Sequence, residues 1–445
     1  MSKPANQPYS AITARAALWL AFLAPVFYAT YGGANWLASQ RADVPYIVFW
    51  WERWTPFLPW TILPYWSINL FYAASLFIND SKSGVNRLAG RYLTAQIVAV
   101  VCFIAFPLIA IYQRPETSGL PGLLFDILGG FDRPYNQAPS LHIALLVIIW
   151  DHLRHRLRSV WLAAWHVWCL LIGVSVLTTW QHQFIDIPTG ALLGLFALWL
   201  FPRNGPLPLG NFRSARNARS LRLGVYYGVG FAACFAGAWM GAYASPLWLG
   251  LLWPTIALGI VALGYFGAGS DVFQKDFEGN ISLASRLLLW PYRLFARLNA
   301  WAWTRRLPPA VEIAKGSDKS KAVFLGRFPS ADEANSYNVV VDLAAELPRP
   351  RGATAIWQSV PMLDLVPPSD IERDLAAFIV DAYHDKTVLI CCALGFQRSA
   401  SVAASWLMRS GHAANLAEAE TILVAGSRPV HLHKSQGEAH DRTSS

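Results

Sequence analysis

The chain has 445 residues, of which 54% are hydrophobic and only 14% charged, and its net charge is +9. A soluble protein carries about 25% charged residues, so this composition excludes a wholly soluble chain. The basic residues cluster between apolar runs, which points to loops facing anionic lipid and argues against a nucleic-acid footprint.

A membrane span needs roughly 20 apolar residues. Eight runs qualify as candidates, at 16–34, 56–78, 92–112, 139–150, 160–179, 184–202, 222–243 and 247–268. The fourth is the shortest, because Asp151 and His152 follow it closely. The 21 Trp residues fit interfacial belts. No small-residue cleavage site follows a short apolar core, so no removable signal peptide is expected.

Loop charge alternates along the chain. Lys82, Arg87 and Arg91 oppose a lone Asp80, and Arg154, Arg156 and Arg158 oppose Asp151. Arg203, Arg213, Arg216, Arg219 and Arg222 face no acid at all. The intervening loops are near neutral, Arg41 and Arg53 offsetting Asp43 and Glu52. Positive loops stay cytoplasmic. The expected protein is therefore multi-pass, in a bacterial inner membrane, with both termini cytoplasmic.

Residues 283–306 alternate apolar residues with Arg286, Arg293, Arg297, Arg305 and Arg306. This pattern predicts an amphipathic connector lying on the membrane surface; a ninth short span is the alternative. From about residue 320 the composition turns soluble. Val323–Gly326, Val339–Leu343 and Thr387–Ile390 predict short buried strands, and 371–383 and 399–409 predict helices. The expected fold class is a multi-span α-helical membrane domain followed by a small α/β domain. The expected segments are 1–54, 55–205, 206–275, 276–319, 320–434 and a disordered polar tail at 435–445.

Cys102, Cys169 and Cys234 lie singly in apolar runs and predict inert packing. Cys391 and Cys392 are adjacent and predict no disulfide framework. They end a strand, and Cys392-Ala393-Leu394-Gly395-Phe396-Gln397-Arg398-Ser399 leads into a helix. A tight loop of main-chain N–H groups ahead of a helix makes an anion nest that favours a sulfur anion. Gly395 lets the loop curl. Arg398 can grip two phosphate oxygens, and Ser399 can donate to the departing sulfur. The bland alternative is two buried cysteines beside a surface arginine.

This segment resembles the protein tyrosine and dual-specificity phosphatase superfamily, whose loop reads His-Cys-x5-Arg-Ser/Thr. The resemblance covers about 322–432, with Cys391 standing where the family has His. It implies a Cys392 nucleophile, a phosphate cradle over Ala393, Leu394, Gly395, Phe396, Gln397 and Arg398, and a general acid some 30 residues upstream. Asp364 is the choice for that acid and Asp370 the rival, the latter as a helix-start residue. Asp342 is expected to be structural, and His384 and His412 to be surface residues.

The apolar half carries three polar elements. Gln113-Arg114-Pro115 is expected to end the third span, Pro139-Ser140-Leu141-His142 to open the fourth, and His182 with Asp186 to open the sixth. Ionisable residues at span ends are functional candidates. Four residues apart on a helix, His182 and Asp186 would share a face. Asp186 would then orient a nucleophilic His182, with His142 as proton donor and Ser140 and Arg114 as phosphate ligands. The set resembles the type-2 phosphatidic-acid phosphatase family, in its inositol-phosphotransferase-like branch, over roughly 55–205. Two basic positions of that family are replaced, by Pro107 and Val176.

Together these readings predict a bifunctional enzyme. One phosphate-monoester hydrolase on Cys392 would face the cytoplasm, and a second phosphoryl-transfer site on His182 would face the opposite side. Both would pass through covalent phospho-enzymes, with no cofactor or metal called for. Lipid phosphates are the expected substrates, phosphoproteins remaining open for the soluble domain. The alternatives are a lipid head-group phosphotransferase at the membrane site, or spans that only anchor a protein phosphatase.

Overall fold

The computed structural model describes residues 8–315, 322–426 and 429–432; the tail expected at 435–445 lies outside them. The chain divides into two units, one of residues 1–204 with 238–249 and one of 205–237 with 250–445. Among the described residues, five helical stretches are long and apolar enough to cross a membrane: Tyr9–Ser39, Lys82–Ala105, Ser159–Thr178, Ala218–Ala242 and Pro246–Phe273.

The first unit is helical: α1 (Tyr9–Ser39), α2 (Ile62–Phe77), α3 (Lys82–Ala105), α4 (Gly119–Gly129), α5 (Leu141–Arg154), α6 (Ser159–Thr178) and α7 (Asp186–Leu200). Three expected spans are shorter than anticipated. At a rise of ~1.5 Å per residue, α2, α5 and α7 are roughly 21–24 Å long, against a hydrocarbon core of about 30 Å. The third span also shifts. It starts at Lys82, because Ser81 caps it by accepting from the Gly84 N–H at 3.0 Å. It stops at Ala105, ahead of Pro107, which cannot continue a helix.

Helix α5 is the buried centre of this unit. Gly190 and Gly194 of α7 let the two backbones meet: a Cβ on Gly190 would lie 2.5 Å from the Ser140 carbonyl, and one on Gly194 2.8 Å from that of Ala144. At the C-terminal end of α5, Asp151 pairs with Arg154 at 2.7 Å and approaches Arg91 at 4.0 Å. Arg91 also donates to the Phe201 carbonyl at 2.8 Å, which satisfies the exposed end of α7. Ser140 opens α5 and Asp151 lies near its close, so the polar element at Ser140 and the arginine cluster occupy opposite ends of one helix.

The second unit contains most of α8 (Ala218–Ala242), then α9 (Leu252–Leu263), α10 (Leu283–Leu288) and α11 (Trp290–Thr304). An α/β domain follows with β1 (Ala310–Lys315), β2 (Ala322–Arg327), α12 (Ala331–Ala334), β3 (Val339–Ala344), β4 (Ile356–Met362), α13 (Asp370–Ala382), β5 (Val388–Cys392), α14 (Arg398–Arg409) and α15 (Leu416–Ala425). The sheet order is β1-β2-β5-β3-β4, parallel except for β1. Central β3 and β5 are buried at every residue, as continuous apolar strands should be.

Two strands were not anticipated. β1 comes from the stretch assigned to the connector. β4 contains Pro361, which reads as a breaker but is tolerated because β4 is an edge strand. The connector itself forms α10 and α11, with Phe295, Leu298 and Trp303 exposed.

Asp342, within β3, is fully buried and paired with Lys275, which also donates to the carbonyls of Ala344 and Leu347. Trp357 Nε1 donates to the same carboxylate at 2.9 Å. This buried pair ties the residues just after the last apolar stretch to the sheet. Lys275→Met would strand a buried carboxylate at a cost of roughly 3–5 kcal/mol. We expect an early-melting α/β domain in near-ultraviolet circular dichroism, with most of the loss recovered in Lys275→Met/Asp342→Asn.

Candidate active sites

In the α/β domain the C-terminal ends of the parallel strands gather the chemistry. Cys392 closes β5, residues 393–397 curl, and Arg398 opens α14. The Gly395 N–H donates to Cys392 Sγ at 3.2 Å, and Ser399 Oγ lies 3.3 Å from the same sulfur. Gly395 has φ +79°, and a Cβ there would meet the Gly326 backbone at 2.6 Å, so only glycine fits. Alternation along β5 sends the two cysteines to opposite faces. Cys392 packs with Val341, Ile390 and Ala400, whereas Cys391 packs with Leu389, Val340 and Trp357. Burial, reinforced by Asp342, pushes the Cys391 thiol well above its ordinary value, so it stays a neutral packing group.

Arg398 is fully buried and forked. Its Nη1 and Nη2 donate to the two Glu346 oxygens at 2.9 and 2.7 Å, and Nη1 also donates to the Met362 carbonyl at 2.9 Å. Asp364 Oδ1 lies 3.1 Å from Nη2. The Nε is buried with no partner among the described residues, a remaining donor for an incoming anion. Burial alone would lower the Arg398 pKa, but Asp364 and Glu346 hold it well above its ordinary value.

The two acids beside Arg398 diverge. Burial would raise Glu346, but Arg398 more than offsets this and holds it below its ordinary value of 4.5. Asp364 is raised, by burial first and by Glu346, against the opposing pull of Arg398 and Arg219. One acid is thus kept as a counter-charge while its neighbour retains a proton more readily. Asp364 is further fixed through its carbonyl, which accepts from Tyr265 Oη at 2.9 Å. Asp370 does not enter the site. It is exposed and pairs with Arg373 at 2.7 Å, and the cap of α13 is Ser369 rather than Asp370. His384 and His412 are exposed at the surface.

Glu346, Tyr265 and Arg219 were missed by the sequence reading. Glu346 had a signal, as an acid just past a buried parallel strand, where such sheets collect their sites. Tyr265 and Arg219 had none, since nothing local tells an apolar stretch which loop it will touch.

In the helical unit His182 Nδ1 lies 3.0 Å from Asp186 Oδ2, and its Nε2 lies 3.3 Å from Ser140 Oγ. The helical explanation of this pair is wrong: α7 starts at Asp186, and His182 sits in the preceding turn. Asp186 reaches back, accepting from the Gln183 N–H at 3.0 Å, while the His182 N–H donates to the Val176 carbonyl at 3.1 Å. Buried Glu52, read from sequence as a loop charge, accepts from Phe184 N–H at 2.8 Å and fixes the same turn. Ser140 caps α5, accepting from the Ile143 N–H at 3.3 Å.

Arg114 lies well past the end of α3, on non-helical chain, with its guanidinium 4.5 Å from the Phe125 ring centroid. Its Nη1 is buried without a partner among the described residues. A cavity of about 190 Å³ is lined by Arg114, His182, Asp132, Tyr31 and Asn136 among others. His142 is not in its wall; the ring stacks on Tyr65 at 4.1 Å, and its Nε2 is buried and unpartnered. Asp132, which reads in the sequence only as a charge of a near-neutral loop, accepts from Tyr31 Oη at 2.9 Å in this wall.

No family model matches the chain, and no curated protein matches it. Among solved structures the chain is weakly similar to a tyrosine phosphatase described as "Crystal structure of Tk-PTP in the active form". The identity is 23% and the TM-score 0.25, and the match covers 30% of this chain and 93% of that one.

The Glu346–Arg398 pair has a pH signature. Because Glu346 is held below its ordinary value, its stabilisation is complete above that value and is lost as pH falls through the lowered one. Glu346→Gln should destabilise the α/β domain by roughly 3 kcal/mol at neutral pH. The gap to the parent should close on acidification, as read from melting temperatures between pH 7 and about 3.

Proposed function

We propose that the chain is a membrane-bound phosphate-monoester hydrolase working through a phosphocysteine on Cys392. The observation that carries this reading is the grouping of Cys392 Sγ, the Gly395 N–H, Ser399 Oγ and a buried Arg398 beside Asp364. In the first step the Cys392 sulfur anion attacks phosphorus and the bond to the leaving oxygen breaks. Asp364 gives its proton to that oxygen. Arg398 and the loop amides hold the equatorial oxygens where charge spreads. In the second step water attacks the phosphocysteine, its proton passes to the Asp364 carboxylate, and the sulfur–phosphorus bond breaks. Ser399 donates to the departing sulfur, and inorganic phosphate leaves.

A lipid substrate is favoured by what flanks the acid. Tyr265, just past the end of α9 in the apolar stretch Pro246–Phe273, donates to the Asp364 carbonyl, and Arg219, in the first turn of α8, favours the Asp364 carboxylate from a distance; both belong to candidate membrane helices. A monoester on a bilayer headgroup would meet the site there. A phosphoprotein substrate is the rival.

A second reading concerns the helical unit. The Ser140–His182–Asp186 chain beside Arg114, whose Nη1 is buried without a partner among the described residues, favours phosphoryl transfer through a phosphohistidine on His182. Hydrolysis and head-group transfer are both open to that arrangement, and an alcohol acceptor followed by mass spectrometry separates them.

In the full chain carrying His182→Ala, Cys392→Ser should abolish aryl phosphate turnover, and a variant that keeps the parental rate would overturn the main reading. Asp364→Asn should lower kcat by about 10²–10³ for alkyl phosphates and less for aryl phosphates, whose leaving oxygen needs no proton. A raised Asp364 stays protonated further up the pH scale. The parent should therefore lose rate only as pH rises through that value, and Asp364→Asn should lack this alkaline limb.

A further inference from the structure

We propose that the Cys392 site takes a lipid headgroup bearing at least two phosphates, one seated at the cysteine and another held in an arginine-lined cleft beside it. The proposal rests on the phosphatase reading of Cys392 and adds the substrate class.

The cleft has a volume of about 960 Å³, and Ala393, the residue after the nucleophile, forms part of its wall. Seven arginines line it, and no acid does so among the described residues. Three of the seven are committed elsewhere. Arg293 donates to the Glu346 and Arg286 carbonyls, Arg327 pairs with Glu333 at 2.6 Å, and Arg349 donates to the Ala353 carbonyl at 2.6 Å. Among the described residues, Arg286, Arg297, Arg305 and Arg351 make no ion pair or hydrogen bond to an acid, and all four are exposed.

Four uncompensated guanidiniums around one concavity repel one another. A fold keeps such a cluster at a cost unless an anion neutralises it. Guanidiniums suit phosphate because the planar fork takes two oxygens at once. One phosphate would be met by Arg398 and the loop amides, so four further cations exceed what a single monoester needs.

The same helix points to the source of the anion. On α11, Arg293 and Arg297 share the cleft face with Ala300 and Thr304, while Leu294, Phe295 and Leu298 are exposed on a neighbouring face. A helix with this division lies in the membrane interface, its apolar side in the headgroup boundary. The arginine face then meets headgroups rather than free solutes. Arg293 links the two sites physically, since its Nε donates to the carbonyl of Glu346, whose carboxylate holds Arg398.

The test uses the full chain carrying His182→Ala, so that turnover reports on Cys392. Phosphate release is measured from phosphatidylcholine vesicles containing either phosphatidic acid or a phosphatidylinositol bisphosphate. Free inositol trisphosphate and para-nitrophenyl phosphate are measured in parallel. We expect kcat/KM to be highest for the bisphosphorylated lipid. Arg286→Ala/Arg297→Ala should lower it roughly tenfold or more, and should lower its ratio to phosphatidic acid by a similar factor. Arg351→Ala, on a different element, should lower the same ratio if the double variant fails to fold.

Equal losses on both lipids would mean adhesion to the membrane and would overturn the proposal. So would parental preference for phosphatidic acid, or free inositol trisphosphate matching the vesicle-borne lipid. A parent with no bisphosphate preference, or arginine variants that leave the ratio unchanged, with Cys392-dependent aryl phosphate turnover intact, rejects the cleft assignment alone. Aryl phosphate turnover that is absent in the parent, or that survives Cys392→Ser, rejects the underlying phosphatase reading.

Discussion

A guanidinium buried without solvent has to be compensated, and the α/β domain is arranged around that requirement. Arg398 is held by both oxygens of Glu346, by the Met362 carbonyl and by Asp364. Those partners come from the ends of β3 and β4 and from the segment after β4, so the parallel sheet has to be in register before the cation is satisfied. An unpaired buried charge costs several kcal/mol, which makes the geometry of the loop and the order of the strands one problem. The same ion pair fixes the guanidinium fork in place, and on the proposed reading little reorganisation would remain for the reaction.

The coupling extends outward from that pair. Arg293 of α11 holds the Glu346 backbone, Tyr265 holds the Asp364 backbone, and Lys275 is buried against Asp342. All three lie in or just after the apolar and interfacial stretches that precede the sheet. The α/β domain is therefore seated on these segments by buried polar contacts, which are directional, rather than by apolar area alone. Directional contacts set an orientation, which the proposed action on a headgroup would need.

In the helical unit the corresponding constraint is steric. Glycines at 190 and 194 bring α7 against α5 closely enough for the Ser140 N–H to donate to the Asp186 carbonyl at 3.2 Å. That contact sets Ser140 Oγ beside His182. Side chains at either glycine would push the helices apart and break the chain from Ser140 to Asp186. The arginines at the far end of α5 are used differently, in satisfying the carbonyls that end α7 and in facing Asp151.

Much of this was written locally. The apolar runs, the strand ending at Cys392, the spacing from Cys392 to Arg398 and the glycine between them are short-range patterns, and short-range patterns survive translation into structure. The helical spacing of His182 and Asp186 misled, because a four-residue separation fits a turn as well as a helix and only the start of α7 distinguishes them. β1 and β4 were hidden for a related reason: edge strands carry weak signals, and a proline on an edge looks like a break. The sequence by itself determined which groups are present, a cysteine and an arginine framing a short loop between strand and helix, behind a set of apolar helices. Only the tertiary structure decided what compensates the arginine, which of the two acids is raised and which lowered, and where the other arginines collect. Those outcomes depend on burial and on charges distant along the chain, and neither is encoded in any local stretch of residues.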